Sequence, residues 1–348
     1  MDERQALATE GEKARPGLFA GTTAGGPRFV AVLYALLVAA VVFLAGGTLA
    51  NLFNRPPAAA RYVPRARVRL DEPAPAGGSP SAARNAHAPE LRVAVAPVMS
   101  PEKSLVRYRQ LVDYLATRLD RAPVFLQGED YAEINARLRN GDCDLALICT
   151  YCFVLGQDES EVESLVIPQI AGSVTYHSLI LVPADSPAGD LLDLRGKRFG
   201  SGDLLSNTGW LYPVAWLQQR GHEPARFFSE QVVTGSHDLS VRAVASRFVD
   251  GAAVASLVYE QLVRDEPLLA RQTKVIHRSP PFGMPPVVVP VGSDPELRAQ
   301  LRETLLNMDR SARGREILAE LGIDRFVPSD DRLYDSIRRA AALLETPP

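Results

Sequence analysis

Three residues with hydrogen-bonding side chains, Ser206, Asn207 and Thr208, stand directly before Gly209 and an apolar run that reads as a helix to Gln219, closed by Gly221. All three are favoured helix N-cap types, so the first free backbone N–H groups of this helix lie among hydroxyls and an amide. Such an end suits a phosphate, sulfate or carboxylate, because unpaired N–H groups and the positive end of the helix dipole meet there. Pro213 has no N–H to give to the carbonyl of Gly209, so the first turn is expected to be loosened. Taken alone, the stretch fits a self-capped helix without a guest at least as well. The other residues with chemical potential are sparse. Cys149-Thr-Tyr-Cys152 has redox spacing but no Cys or His nearby to complete a zinc site, and with Cys143 it reads as buried small residues, a Cys149–Cys152 disulfide being the alternative.

The elements that position these residues alternate between strand and helix. The chain has 348 residues, 46% hydrophobic and 23% charged, with a net charge of −3, so it offers no general attraction to nucleic acid. Leu91 to Pro97 alternates as a strand, and Leu105, Tyr108, Leu111, Val112, Leu115 and Leu119 recur at helical spacing over Pro101 to Leu119. Val124 to Gln127 reads as a strand, Tyr131 to Asn140 as a helix, and Asp144 to Cys149 as a central strand entering a loop. Further strands are expected at 165–171 and 178–182. A second set follows, with strands at 198–202, 231–234, 251–255 and 274–278, and helices from Ser206, Ser236 and Ser256. A return strand over Pro285 to Pro290 precedes three closing helices, over 294–308, 311–321 and 331–344. Two α/β sets with the chain end rejoining the first predict two lobes joined by two crossover strands, 91–183 with 284–348 as lobe 1 and 184–283 as lobe 2.

Ahead of this region, residues 1–28 have a disordered composition. Phe29 to Phe53 is long and apolar enough to span a bilayer, an anchor or an uncleaved signal, with a cleaved secretory signal as the competing reading. Residues 54–90, rich in Pro, Ala and Arg, read as a tether. Lys13, Arg15 and Arg28 precede the span and Arg55, Arg61, Arg65, Arg67 and Arg69 follow it. The positive-inside rule alone would put the following domain in the cytoplasm, whereas a large translocated domain overrides loop charge.

Several segments resemble, in order and spacing, the PhnD-like substrate-binding proteins of phosphate, phosphite and phosphonate ABC transporters, which have the type 2 periplasmic-binding-protein fold. They are Leu91 to Val98, Gly128 to Ile134, Cys143 to Leu147, Tyr176 to Pro183, Asp185-Ser-Pro187, Phe199-Gly-Ser-Gly-Asp with Ser206-Asn-Thr-Gly-Trp-Leu-Tyr-Pro213, and Gly235-Ser-His-Asp238. The resemblance covers about Leu91 to Leu344. It implies that Ser206, Asn207 and Thr208 bind a tetrahedral oxyanion and that His237 donates to it, with a charge that follows pH if its pKa stays near about 6.5. It further implies a cleft tyrosine at Tyr131, and Thr150 and Tyr151 in a cleft-facing loop after the third strand. Tyr176 falls at an aromatic near the first crossover, where core or hinge packing is the other reading. Without the resemblance, His237 reads as a cap of its own helix and Tyr131 as a packed ring.

Two departures bear on the guest. Where the family commonly carries an acidic or amide residue after the Val-Asp motif, Val249 to Leu257 offers Ala255 and Leu257; a cleft lacking that carboxylate should not select an amine. The middle position of the helix start, usually a hydroxyl, is Asn207. The implied function is a membrane-tethered extracytoplasmic, periplasmic binding protein that presents an oxyanion to an ABC permease, as a monomer and without a cofactor. The same cleft read as a sensor for a partner such as a histidine kinase is the alternative. An enzyme on a phosphorylated substrate is disfavoured, since the candidate site has one histidine, no paired carboxylates and no metal-ligand set.

Overall fold

The structure, a computed structural model, describes residues 68–69, 88–159 and 161–345. The expected segments 1–28 and 29–53 lie outside these residues, and so does most of 54–90. Among the described residues no helix is long and apolar enough to cross a membrane.

Two sheets organise the chain. In the first, β2 (Glu90–Val95) lies between β3 (Ala122–Gln127) and β4 (Leu145–Leu147), parallel to both. β13 (Val287–Pro290) returns antiparallel beside β4, followed by β5 (Val162–Gln169) and β14 (Arg325–Val327). Inside the stretch expected to be tether, β1 (Val68–Arg69) pairs antiparallel with β3 through Val68–Phe125 and Arg69–Val124. The second sheet runs β11 (Thr273–Arg278), β7 (Ser178–Pro183), β10 (Gly251–Ala255), β8 (Arg198–Ser201) and β9 (Glu230–Val233). β7 was expected to close lobe 1. It instead bonds to β10 and β11 in the second sheet, because its six residues are buried throughout and fill a central slot there.

The crossovers run side by side. β6 (Thr175–Tyr176) pairs antiparallel with β12 (Phe282–Gly283) as a ribbon between the two sheets, Phe282 opposite Tyr176. The mixed α/β, two-lobed architecture therefore follows from two chain crossings that share one ribbon.

Helices cover the sheets. α1 (Pro101–Arg118), α9 (Pro295–Leu306) and α10 (Ala312–Leu321) bury Leu111, Leu115, Leu301 and Ile317 against Leu91, Val93 and Val289. α2 (Tyr131–Arg139) is capped by Asp130, which accepts from the N–H of Glu133. α3 (Thr150–Asp158) replaces the loop expected after β4, its apolar residues Cys152, Phe153 and Val154 buried in the larger core. In the second lobe a π-helical turn, Asn207–Leu211, leads into α4 (Tyr212–Gln218), and α5 (Pro224–Phe227), α6 (His237–Ala245), α7 (Ser256–Asp265) and α8 (Pro267–Gln272) follow. The last helix, α11 (Asp335–Glu345), contacts α3 and α4, one in each lobe.

Candidate functional site

The loosened turn expected at Pro213 is the π-turn. The N–H groups of Leu211 and Tyr212 reach back five residues, to the carbonyls of Ser206 and Asn207. The next bond in that series would come from residue 213, but proline has no N–H. The hydroxyl of Ser178 fills the gap, donating to the carbonyl of Thr208 at 2.6 Å. π-turns of this kind recur at functional sites, since they widen the helix and free its first polar groups.

At the head of the turn Ser206 is fully buried, its Oγ accepting from the N–H of Gly209 at 3.0 Å and lying 3.3 Å from His237 Nε2. His237 is the first residue of α6, and its Nδ1 accepts from the N–H of Ala255 at 3.3 Å. A neutral ring that accepts at Nδ1 carries its proton on Nε2, so Nε2–H donates to Ser206 and leaves the serine's own proton to give away. Burial lowers the His237 pKa to about 4, against the opposing pull of Asp238. The condition attached to the expected pH-following charge is thus not met: the ring is neutral at physiological pH because it is sealed from water.

Glycine makes the approach possible. A Cβ on Gly209 would lie 3.0 Å from Ser206 Oγ and 3.2 Å from His237 Cε1, and one on Gly202 would lie 3.2 Å from the backbone nitrogen of His237. The space over Gly209 is taken by the side chains of Ser206 and His237.

The first lobe supplies the opposite wall. Thr150, the first residue of α3, is 2.8 Å from the Tyr176 hydroxyl, which is itself 3.5 Å from Asn207 Nδ2. Tyr176 packs its ring edge-on to Phe282 across the ribbon, so it is both a crossover residue and a member of the cluster. The N–H of Asn207 points at Cys149 Sγ, 3.3 Å away, which with the Gly209 bond leaves the N–H of Thr208 as the donor that neither takes. Tyr131 is fully buried and its hydroxyl has no hydrogen-bond partner; the same holds for Asn207 Oδ1. Tyr151 is half-buried against the larger core. Cys143, Cys149 and Cys152 are free buried thiols, and burial pushes all three pKa values up.

Ser206 with His237, and Asn207 with Tyr176 and Thr150, are thus two hydrogen-bonded groups joined by the Ser206–Asn207 peptide, and Ser178 holds the carbonyl of Thr208 beside them. Two carboxylates that were not singled out from the sequence hold the lobes together around them. Asp203 accepts from the N–H of Tyr131 at 3.0 Å and of Leu205 at 2.7 Å; burial raises its pKa and these two bonds oppose the rise. Asp238 accepts from the N–H of Ser100 at 2.8 Å and from Ser236 Oγ at 2.6 Å, and the His237 N–H donates to the carbonyl of Val98 at 3.1 Å. Their signal was present: each acid ends a short motif, Gly-Ser-Gly-Asp and Gly-Ser-His-Asp, beside a helix start. At the rim Glu266 pairs with Lys103 of the first lobe at 2.9 Å and with Arg242 of the second at 2.6 Å. The contacts of the buried cluster use no Lys or Arg side chain. Among the described residues, no group of three or more His, Cys, Asp or Glu side chains is placed to hold a metal ion.

The family model described as ABC transporter, phosphonate, periplasmic substrate-binding protein matches residues 93–334. The chain belongs to this family. Its members are binding components of transport systems, and the match covers the second sheet, the first sheet except β1 and the opening residues of β2, and all the residues of the cluster. Among curated proteins, the phosphonates-binding periplasmic protein of Escherichia coli K12 is 28% identical over 221 residues, 62% of this chain and 65% of that protein, just under two thirds of its length. Among solved structures, a binding protein component of an ABC phosphonate transporter from Pseudomonas aeruginosa aligns with a TM-score of 0.70 and 24% identity, covering 74% of this chain and 87% of the other. PhnD1 from Prochlorococcus marinus, solved with methylphosphonate, aligns with a TM-score of 0.66 and 21% identity over 73% of this chain and 98% of its own. These likenesses carry the periplasmic-binding-protein fold onto the two sheets described above.

Proposed function

We propose that the chain captures a phosphorus oxyanion, phosphate, phosphite or a phosphonate, between its two lobes and delivers it to an ABC permease. The observation that carries this reading is a sealed polar cluster with unfilled capacity. Tyr131 hydroxyl and Asn207 Oδ1 are buried without partners, beside a serine whose proton is free and a π-turn with an N–H left over. Buried polar groups are nearly always bonded, so such a cluster calls for a polar guest. The donors are neutral hydroxyls and backbone N–H groups at a helix start, which suits an anion that must be released again. Tyr131 and Thr150 come from the first lobe and Ser206 to Thr208 from the second, so a guest held by both favours the closed form, and closure is what a permease can read.

In this reading the guest touches Ser206, Asn207, Thr208, Tyr131, Thr150 and Tyr176; His237 acts through Ser206, and Tyr151 lies behind Thr150 on α3. The folded unit works on the periplasmic side, tethered through 29–53, which membrane fractionation with an alkaline wash would test: release by the wash removes the anchor. Calorimetry of the purified chain with phosphate, phosphite, methylphosphonate and aminoethylphosphonate tests the binding function. At least one of the first three should give saturable heat, and the amine-bearing compound should gain nothing from its amine, since Ala255 and Leu257 offer it no carboxylate. No heat with any of them removes the reading.

A further inference from the structure

The unfilled atom of Asn207 is an acceptor, and a tetrahedral oxyanion presents acceptors. Which face of the amide looks toward the guest follows from its neighbours. The Tyr176 hydroxyl lies 2.8 Å from Thr150 Oγ1 and 3.5 Å from the Asn207 amide. A phenol is a better proton donor than an aliphatic hydroxyl, so it donates along the short contact, to Thr150. The longer contact is then filled the other way, Nδ2–H donating to the phenol oxygen, and Oδ1 is turned to the opposite side. There it is buried, with nothing to accept from. A buried amide oxygen in that state is costly, and an unprotonated oxyanion set against it adds repulsion between lone pairs. Only a guest that brings its own proton satisfies it.

We propose that Asn207 is a specificity-determining residue whose Oδ1 accepts the P–O–H proton of a singly protonated phosphonate or phosphate, so that the cleft rejects sulfate and sulfonates. The inference rests on the oxyanion reading above and sharpens it. The guest's unprotonated oxygens take the protons of Ser206 and Tyr131 and the N–H of Thr208, while its one hydroxyl faces Asn207. Other ionisable groups around the cluster do not mimic the effect. His237 is neutral with both ring nitrogens engaged, burial holds the Tyr131 and Tyr176 phenols and the Cys149 and Cys152 thiols protonated, and Asp203 and Asp238 are engaged by backbone N–H groups on the lobe interface.

Methylphosphonate and methanesulfonate separate the proton from charge and shape, since as monoanions they differ in little but one acidic proton. Calorimetry of the full chain near pH 6 should show methylphosphonate binding at least about tenfold tighter than methanesulfonate, about 1.4 kcal/mol. Its affinity should fall as pH is raised through the ligand's second ionisation. Asn207→Ser supplies a hydroxyl that can turn its proton toward the guest, so it should narrow the preference and flatten the pH dependence. Asp203→Asn should leave that pH dependence in place. Equal affinity for the two compounds, or affinity that rises through the second ionisation, overturns the proposal while the oxyanion reading stands. Absence of binding by either, by phosphate and by phosphite overturns both. Should Asn207→Ser not fold, the comparison of the two compounds on the unaltered chain still decides.

Discussion

Ser206 Oγ and His237 Nε2 lie 3.3 Å apart across 31 residues of sequence, each at the start of a helix of the second lobe. Burial keeps the histidine neutral and the Ala255 N–H occupies its Nδ1, so within the pair Nε2–H is the donor and the serine's proton is left for a guest. Had these groups faced solvent on separate surfaces, no shared pocket could be built from them.

Ser206→Ala removes the acceptor for both Gly209 N–H and His237 Nε2–H together with the free hydroxyl proton. Oxyanion affinity should fall by about 1 to 3 kcal/mol and stability by about 1 kcal/mol. Calorimetry and thermal unfolding measure the two losses separately; unchanged affinity would place the guest elsewhere.

His237 should make the fold acid-sensitive. Its folded pKa of about 4 lies below the unfolded value of about 6.5, so the unfolded chain takes up the proton first. The stability tied to the neutral ring is present above about pH 6.5 and is lost as pH falls toward 4. A gap of about 2.5 units corresponds to roughly 3 kcal/mol, an order of magnitude. Denaturant midpoints between pH 7 and 4 should drop for the unaltered chain and less steeply for His237→Gln; parallel slopes would refute this.

Asp203→Asn keeps one of the two carboxylate oxygens as an acceptor and sets an amide N–H against the N–H of Tyr131 or of Leu205. The closed form should lose about 1 to 3 kcal/mol relative to the open one. Small-angle scattering should then show a larger radius of gyration without ligand and recovery at saturating ligand. An unchanged radius and unchanged affinity would make the contact incidental.

Gly209→Ala places a methyl 3.0 Å from Ser206 Oγ and 3.2 Å from His237 Cε1. Overpacking of this order costs about 1 to 3 kcal/mol. Since the clash falls on the pair itself, oxyanion binding should weaken along with thermal stability; full affinity would show that the pair can move without consequence.

Thiol accessibility reports on the seal around the site. Cys149 and Cys152 are buried and their pKa values raised, so neither is a thiolate at neutral pH. Labelling by a thiol reagent should be slow in the folded protein, slower still with ligand, and fast in denaturant. Fast labelling without denaturant would show that the cluster opens freely.

Much of this protein is written in local pattern. The alternation over Leu91 to Pro97, the helical spacing over Pro101 to Leu119 and the hydroxyl-amide-hydroxyl helix start follow from period and capping chemistry, which act over a few residues, and Pro213 alone foretold a loosened turn. The expected strands group into two sheets except Ser178–Pro183, an apolar strand that either sheet could bury and that only pairing with β10 and β11 assigned, while β1 and β14, two and three residues long, are too short to carry a pattern. The helix at Thr150–Asp158 was hidden because its residues carry no amphipathic stripe, being buried on nearly all sides. What tertiary structure alone decided is the state of the site: that His237 is neutral, that Asp203 and Asp238 clasp the opposite lobe, and that one amide oxygen and one phenol are sealed without partners. Protonation and hydrogen-bond satisfaction depend on desolvation and on neighbours tens of residues away, and no periodicity in a sequence records them.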